Sequence, residues 1–203
     1  MGKTIITIGR QFGSGGHDIG ARLAKDLEIP LYDRNLIEMA AKELNLTTAE
    51  AESLDEKALN GFIASYQTAW NIDAHYYLAE YAESLSDQLY KAQASIIRQL
   101  ADQGPCVIVG RCADYILRKR TDVLSVFICA EKEDRIQRLM DVRGMTEHEA
   151  SVAIKKNDKS RRTYYNNYTG QEWDSPLTYH MVMNVSMLGR EKIVEILKDI
   201  YQK

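Results

Sequence analysis

The chain has 203 residues, 45% of them hydrophobic and 27% charged, and a formal net charge of −3. Such a length fits one domain, or one domain with an inserted lid, and is enough for a full core. The mildly negative charge argues against a general nucleic-acid-binding surface. No apolar run is long enough for a membrane span, and no signal-peptide pattern opens the chain.

Cys106, Cys112 and Cys129 are odd in number and form no CxxC pair, and the four histidines are scattered. This predicts a reducing cytoplasm, no structural zinc and no metal-ligand cluster, with Cys106 and Cys129 as buried core thiols.

In chain order, TIITI (residues 4–8) is short, apolar and β-branched and predicts a strand. A glycine-rich turn follows, then an amphipathic helix from about His17 with its stripe at Ile19, Leu23, Ala24 and Leu27. PLYD (30–33) predicts a weaker strand. Residues 44–84 are mixed, rich in Ala, Glu and Tyr, and predict helix. A long stripe at Leu85, Leu89, Ala92, Ile96 and Leu100 is closed by Gly104-Pro105. CVIVG (106–110), VLSVFIC (123–129) and MVMNV (181–185) predict three more strands. Ile193, Ile196, Leu197 and Ile200 mark a last helix. Residues 145–170 are polar, with too few apolar residues for a core helix, and predict a mobile arm crossing the site. Its tyrosines leave a homo-oligomer open. Continuous apolar strands alternating with helices predict an α/β parallel sheet of about five strands, with helices on both faces. Ligands then lie at the carboxyl ends of the strands.

The glycine turn between the first strand and helix is the sharpest local signal. Gly13, Gly15 and Gly16 permit positive φ and close backbone approach. The first helical amides carry partial positive charge and no intrahelical partner, so an anion fits there. The plainer alternative is a tight turn, with Asp18 complementing the helix dipole. Elsewhere the plain alternatives are Asp33 as an N-cap with Arg34 solvated, an i,i+4 surface pair between Glu131 and Arg135, and a solvated charged helix over 145–170.

Five stretches, GRQFGSGGHDIG, LYDRNLI, VGRCADYIL, AEKEDRIQRLM and KKNDKSRRTYYNNYTG, resemble in order and spacing the cytidylate kinase-like family, relatives of the P-loop nucleoside monophosphate kinases. The resemblance implies a single P-loop kinase-like domain with an acceptor-binding insertion over 44–84 and a helical lid over 145–170. It implies ATP and Mg2+ as cofactors and CMP, dCMP or another small molecule as acceptor. Gly13, Ser14, Gly15, Gly16, His17, Asp18 and Arg138 would meet the donor phosphates. Asp33, Arg34, Arg111, Asp114 and Asp158 would face the acceptor.

The sequence departs from that pattern in several places, among them an extra residue in the loop. Gly16 stands where the loop lysine belongs, Val109 where an acid precedes the Gly-Arg pair, and Ile154 where a lid arginine helps hold the base. Arg10 is the expected substitute for the lysine, and Arg161 and Arg162 are expected to close over the transferring group. Asp18 falls near the hydroxyl of the usual loop and is expected to need a cation between it and phosphate. Gly16 is expected to need a positive φ. The competing readings are a non-catalytic nucleotide-binding module and a kinase of an unrelated metabolite.

Overall fold

The computed structural model describes residues 4–53 and 85–201. Five strands, β1 (Ile5–Arg10), β2 (Leu31–Tyr32), β3 (Cys106–Val109), β4 (Val123–Cys129) and β5 (Met181–Asn184), form one sheet in the order β2-β3-β1-β4-β5. Every pairing is parallel, with Ile5 opposite Cys106 on one side and Val123 on the other. Parallel neighbours need crossovers, and the helices supply them: α1 (Gly16–Leu27), α2 (Asn35–Glu43), α3 (Leu85–Gln103), α4 (Ala113–Ile116), α5 (Lys132–Arg143), α6 (Glu147–Thr169), α7 (Val185–Leu188) and α8 (Arg190–Tyr201). The expected α/β architecture is what the chain adopts.

The chain divides into two compact units, residues 34–97 and the remainder. The larger unit holds the sheet. Ile6, Ile8, Val107, Val126 and Ile128 are fully buried against Ile19 and Leu23 of α1 and Ile193 and Leu197 of α8. Each such side chain contributes about 1.5–3 kcal/mol. In the smaller unit Leu36, Ile37, Ala40 and Ala41 form the buried face of α2, and Leu89, Ala92 and Ile96 that of α3. Most of the predicted insertion over 44–84 lies outside the described residues.

Two expectations change. Residues 147–169 form one 23-residue helix, helical as the resemblance implies, rather than a loose arm. A Thr146–Glu149 capping box starts it, and Gly170 in the left-handed region ends it. Its few apolar side chains suffice because they fall at its ends: Ala150 and Ile154 pack with Leu139 and Phe12, while Tyr164 and Tyr165 are buried further along. Cys106 is buried as expected, but Cys129, at the end of β4, is only partly so.

Candidate active site

The glycine loop, residues 9–16, leaves β1 at the centre of the sheet and is tied down on every side. Gln11 takes its N–H to the carbonyl of Ile128 at 3.0 Å, and its Oε1 accepts from Ala130 N at 3.1 Å. The Ser14 hydroxyl donates to the Gln11 carbonyl at 2.9 Å. The Phe12 peptide is held at both ends: its N–H donates to Asp158 Oδ1 at 2.7 Å, and its carbonyl accepts from Arg135 Nη1 at 3.3 Å. Arg135 and Asp158 are themselves paired at 2.6 Å, with side chains only 9% and 13% exposed. Asp158, expected to face an acceptor, thus joins α6 to the loop backbone. Arg135 turns inward to it, and the expected surface pair with Glu131 is not made; Glu131 accepts from Asn184 instead.

The glycines have separate reasons. Gly13 and Gly15 both sit at φ 82°, where a side chain is strained. Gly16 does not have the expected positive φ. It is the first residue of α1, and a Cβ there would lie 2.6 Å from Arg10 Cβ and 3.1 Å from its Cγ. A lysine at position 16 is therefore excluded by Arg10. The amides of Gly16, His17 and Asp18 lead the helix with no intrahelical acceptor.

Arg10 ends β1, its side chain 21% exposed, and runs past Gly16 towards β3. Its guanidinium occupies the space a Cβ on Gly110 would need. Nη2 lies 3.4 Å from Asp33 Oδ1, and Asp33 Oδ2 is 2.7 Å from His17 Nδ1. Asp33 is therefore not an N-cap. Arg34 takes the N-cap position of α2, is exposed, and makes no side-chain capping bond.

Arg161 on α6 donates from Nη1 to the Arg10 carbonyl at 2.8 Å. Burial and then the nearby Arg10 push its guanidinium down to about 9, with Arg111 adding to the effect and Asp158 and Asp33 opposing it. Three arginines from β1, the β3 turn and α6 thus crowd one place. Arg111 reaches it from a run of three left-handed residues, Gly110, Arg111 and Cys112, at φ 79°, 59° and 52°. Two of these carry side chains, each at a cost on the order of 1–3 kcal/mol. Such strain gathers where a fold must aim a group.

Asp114, three residues on, accepts from the Tyr165 hydroxyl at 2.5 Å, and burial pushes its carboxyl up to about 6. Burial, then Asp114, drives the Tyr165 phenol above its usual range. Tyr179 packs on Gly9, where a Cβ would lie 3.0 Å from its ring, and stacks with Phe127 at 5.0 Å between centroids.

The structure does not bring every expected residue to the cluster. Arg162 is exposed, pairs with Asp174 at 2.6 Å and lies over Trp173. Asp18 bonds Arg138 at 2.5 Å, with Arg190 at 3.6 Å. The two arginines flank Gly15 on the outer side of the loop. Arg190 escaped the sequence reading because it opens the last helix, far from any motif. Its only signal was its place just after the fifth strand.

The family model described as the cytidylate kinase-like family matches residues 5–187. The chain belongs to the cytidylate kinase-like family. This membership makes it a kinase of the P-loop type, with the fold and loop that such nucleotide chemistry uses. Among solved structures it is similar to an uncharacterized protein from Eubacterium ventriosum ATCC 27560, at 27% identity and TM-score 0.71, covering 99% of each chain. A shikimate kinase from Bacteroides thetaiotaomicron is 14% identical, with TM-score 0.51, over 98% of this chain and 99% of that one. A gluconokinase from Sinorhizobium meliloti 1021 is 13% identical, with TM-score 0.53, over 98% and 93%. The last two likenesses are of fold alone. No curated protein matches the chain.

Proposed function

We propose that this kinase transfers the terminal phosphoryl group of ATP to a small anionic acceptor. The carrying observation is the crowding of Arg10, Arg111 and Arg161 beside a glycine loop whose backbone is fixed in advance. Crowded cations gain most when an anion enters between them. Gly13, Ser14, Gly15 and Gly16 cradle donor phosphates, with the first amides of α1. Arg10 takes the place of the missing lysine, and Arg161 neutralises charge developing on the transferring group. Arg111 holds the acceptor's anionic group. Arg138 and Arg190 flank the donor side, and a groove of about 580 Å³ between α1 and α8 gives the nucleoside room.

The described residues fit magnesium as an ion carried on the nucleotide. Among the described residues no group of three His, Cys, Asp or Glu is placed to hold a metal, and Asp18 is engaged by Arg138 and Arg190. Magnesium commonly relies on substrate phosphates in this way. Bound there, it neutralises phosphate charge.

CMP is poorly supported as the acceptor. Ile154, in place of the base-holding arginine, is 3% exposed and packed among Leu139, Ala150 and Phe12. If nucleotides are accepted, a missing charge-assisted bond weakens base selectivity by roughly 1.5–3 kcal/mol. A coupled ADP-release assay with Mg2+ across nucleoside monophosphates and small metabolites tests the reading. Turnover of an acceptor is expected. ATP binding with no turnover of anything would instead favour a nucleotide-binding module.

A further inference from the structure

His17 is the second residue of α1, and its side chain is 57% exposed beside the arginine cluster. Its Nδ1 meets Asp33 Oδ2 at 2.7 Å. A carboxylate can only accept, so the shared proton sits on Nδ1. In the neutral ring, Nε2 then carries a lone pair and is itself an acceptor. Asp33 is fixed in turn, since its other oxygen faces Arg10 from β1. Asp18, the next residue on the helix, is turned to Arg138 and Arg190. An imidazole oriented by a carboxylate, half in solvent and next to an anion-binding cluster, is the arrangement of a general base.

A base has no task if the acceptor is a phosphate monoester, whose oxygen is already ionised near neutral pH. It has one if the acceptor is an alcohol. We propose that the acceptor is a small hydroxy compound carrying an anionic group, and that His17 takes the proton of its hydroxyl. This rests on the kinase reading above. The hydroxyl proton passes to Nε2 of His17. The alcohol oxygen forms a bond to the γ-phosphorus of a nucleoside triphosphate, and the bond from that phosphorus to the β,γ-bridging oxygen breaks. The electron pair leaves with the nucleoside diphosphate. Asp33 is a positioning residue: it holds the ring tautomer and touches no reacting atom. The acceptor's anionic group sits against Arg111.

The test uses the full chain, Mg-ATP and two acceptor panels, polyhydroxy carboxylates and nucleoside monophosphates, with products read by phosphorus NMR. The expected product is a phosphate monoester of a hydroxy carboxylate. With that acceptor, His17→Ala should lower kcat on the order of 10²–10⁴-fold, with KM moving less than about threefold. Added imidazole should restore the rate in proportion to its concentration. His17→Gln, which keeps the bulk of the residue, should lose kcat as His17→Ala does. Formation of nucleoside diphosphates as the only products overturns the inference and leaves the kinase reading standing. So does a His17→Ala enzyme with undiminished kcat, or one that imidazole does not rescue. No turnover with either panel overturns both.

Discussion

Asp158 and Arg161 stand one turn apart on the same helix, and both reach the loop after β1, yet they do opposite things with their charge. Asp158 is matched: Arg135 and the Phe12 amide take both of its oxygens, in a nearly closed pocket. Arg161 is placed differently: it is buried beside both Arg10 and Arg111 and Asp33 and Asp158, and burial first, then Arg10, pushes its guanidinium down. A buried pair whose carboxylate is engaged at both oxygens builds structure. On the proposed reading, a cluster of like charges receives a ligand of the opposite sign. On that same reading, the distinction separates residues that shape the loop from residues that work in it, although both kinds are charged, partly buried and close in sequence.

The largest effect that could break this comparison is on stability. Asp158→Ala leaves Arg135 buried without its carboxylate, and urea unfolding should show a loss of about 3–5 kcal/mol. Replacing both members with apolar residues, as in Asp158→Leu with Arg135→Met, should recover most of the stability and little of the activity, because the Phe12 peptide then has no clamp. Recovery of full activity would mean the pair does not shape the loop.

Arg161→Met should behave in the reverse sense. Its kcat should drop by roughly 2–4 kcal/mol in barrier terms, while its melting temperature holds or rises. Phosphate should stabilise the wild-type protein by about 2.7 kcal/mol at a hundred times its dissociation constant, and should stabilise the variant much less. Equal stabilisation of both would remove Arg161 from the anion site.

Asp114 sharpens the picture by its pH dependence. Its carboxyl is raised from 3.8 to about 6 in the folded chain, so the folded state holds the proton more tightly than the unfolded one. The sign follows: stability falls as pH rises from about 4 to 6, by at most about 1.4 kcal/mol per pH unit. In Asp114→Asn that slope should vanish, and its persistence would assign the titration to another group. The smallest effect is expected at Arg162. Its pair with Asp174 is exposed, so Arg162→Ala should cost no more than about 1 kcal/mol of stability. Its kcat should stay within about threefold of wild type.

The inner strands β1, β3 and β4 were legible because a parallel sheet buries both of their faces and writes them as runs such as TIITI and VLSVFIC, while the half-buried edge strand β2 gave only the weaker PLYD. The glycine loop was legible for a similar reason, since few residues other than glycine tolerate its φ values. The helix over 147–169 was legible from the family resemblance but not from its own pattern, because its core contacts are split between Ile154 near one end and Tyr164 and Tyr165 near the other, with charged turns between. No single window of sequence shows the stripe. The roles of its charges were hidden for a different reason. Asp158, Arg161 and Arg162 are near neighbours in composition and position, and only their partners, drawn from residues 10, 12, 135 and 174, tell them apart. Gly16 showed the limit of conformational reasoning from glycine: its requirement is empty space beside Arg10, which no local pattern records.

That space has an evolutionary consequence. Position 10 sits over position 16 and fills the gap above position 110, so the three are one unit for selection although they lie up to a hundred residues apart. A lysine introduced at 16 meets Arg10 before it meets any phosphate, and an alanine at 110 meets it as well. A reversal towards an ordinary lysine loop has to begin at position 10, giving up the existing cation before a new one is gained. If Arg10 meets phosphate as proposed above, every single step on that path passes through a weaker enzyme, which would make the arginine loop easy to keep and hard to leave.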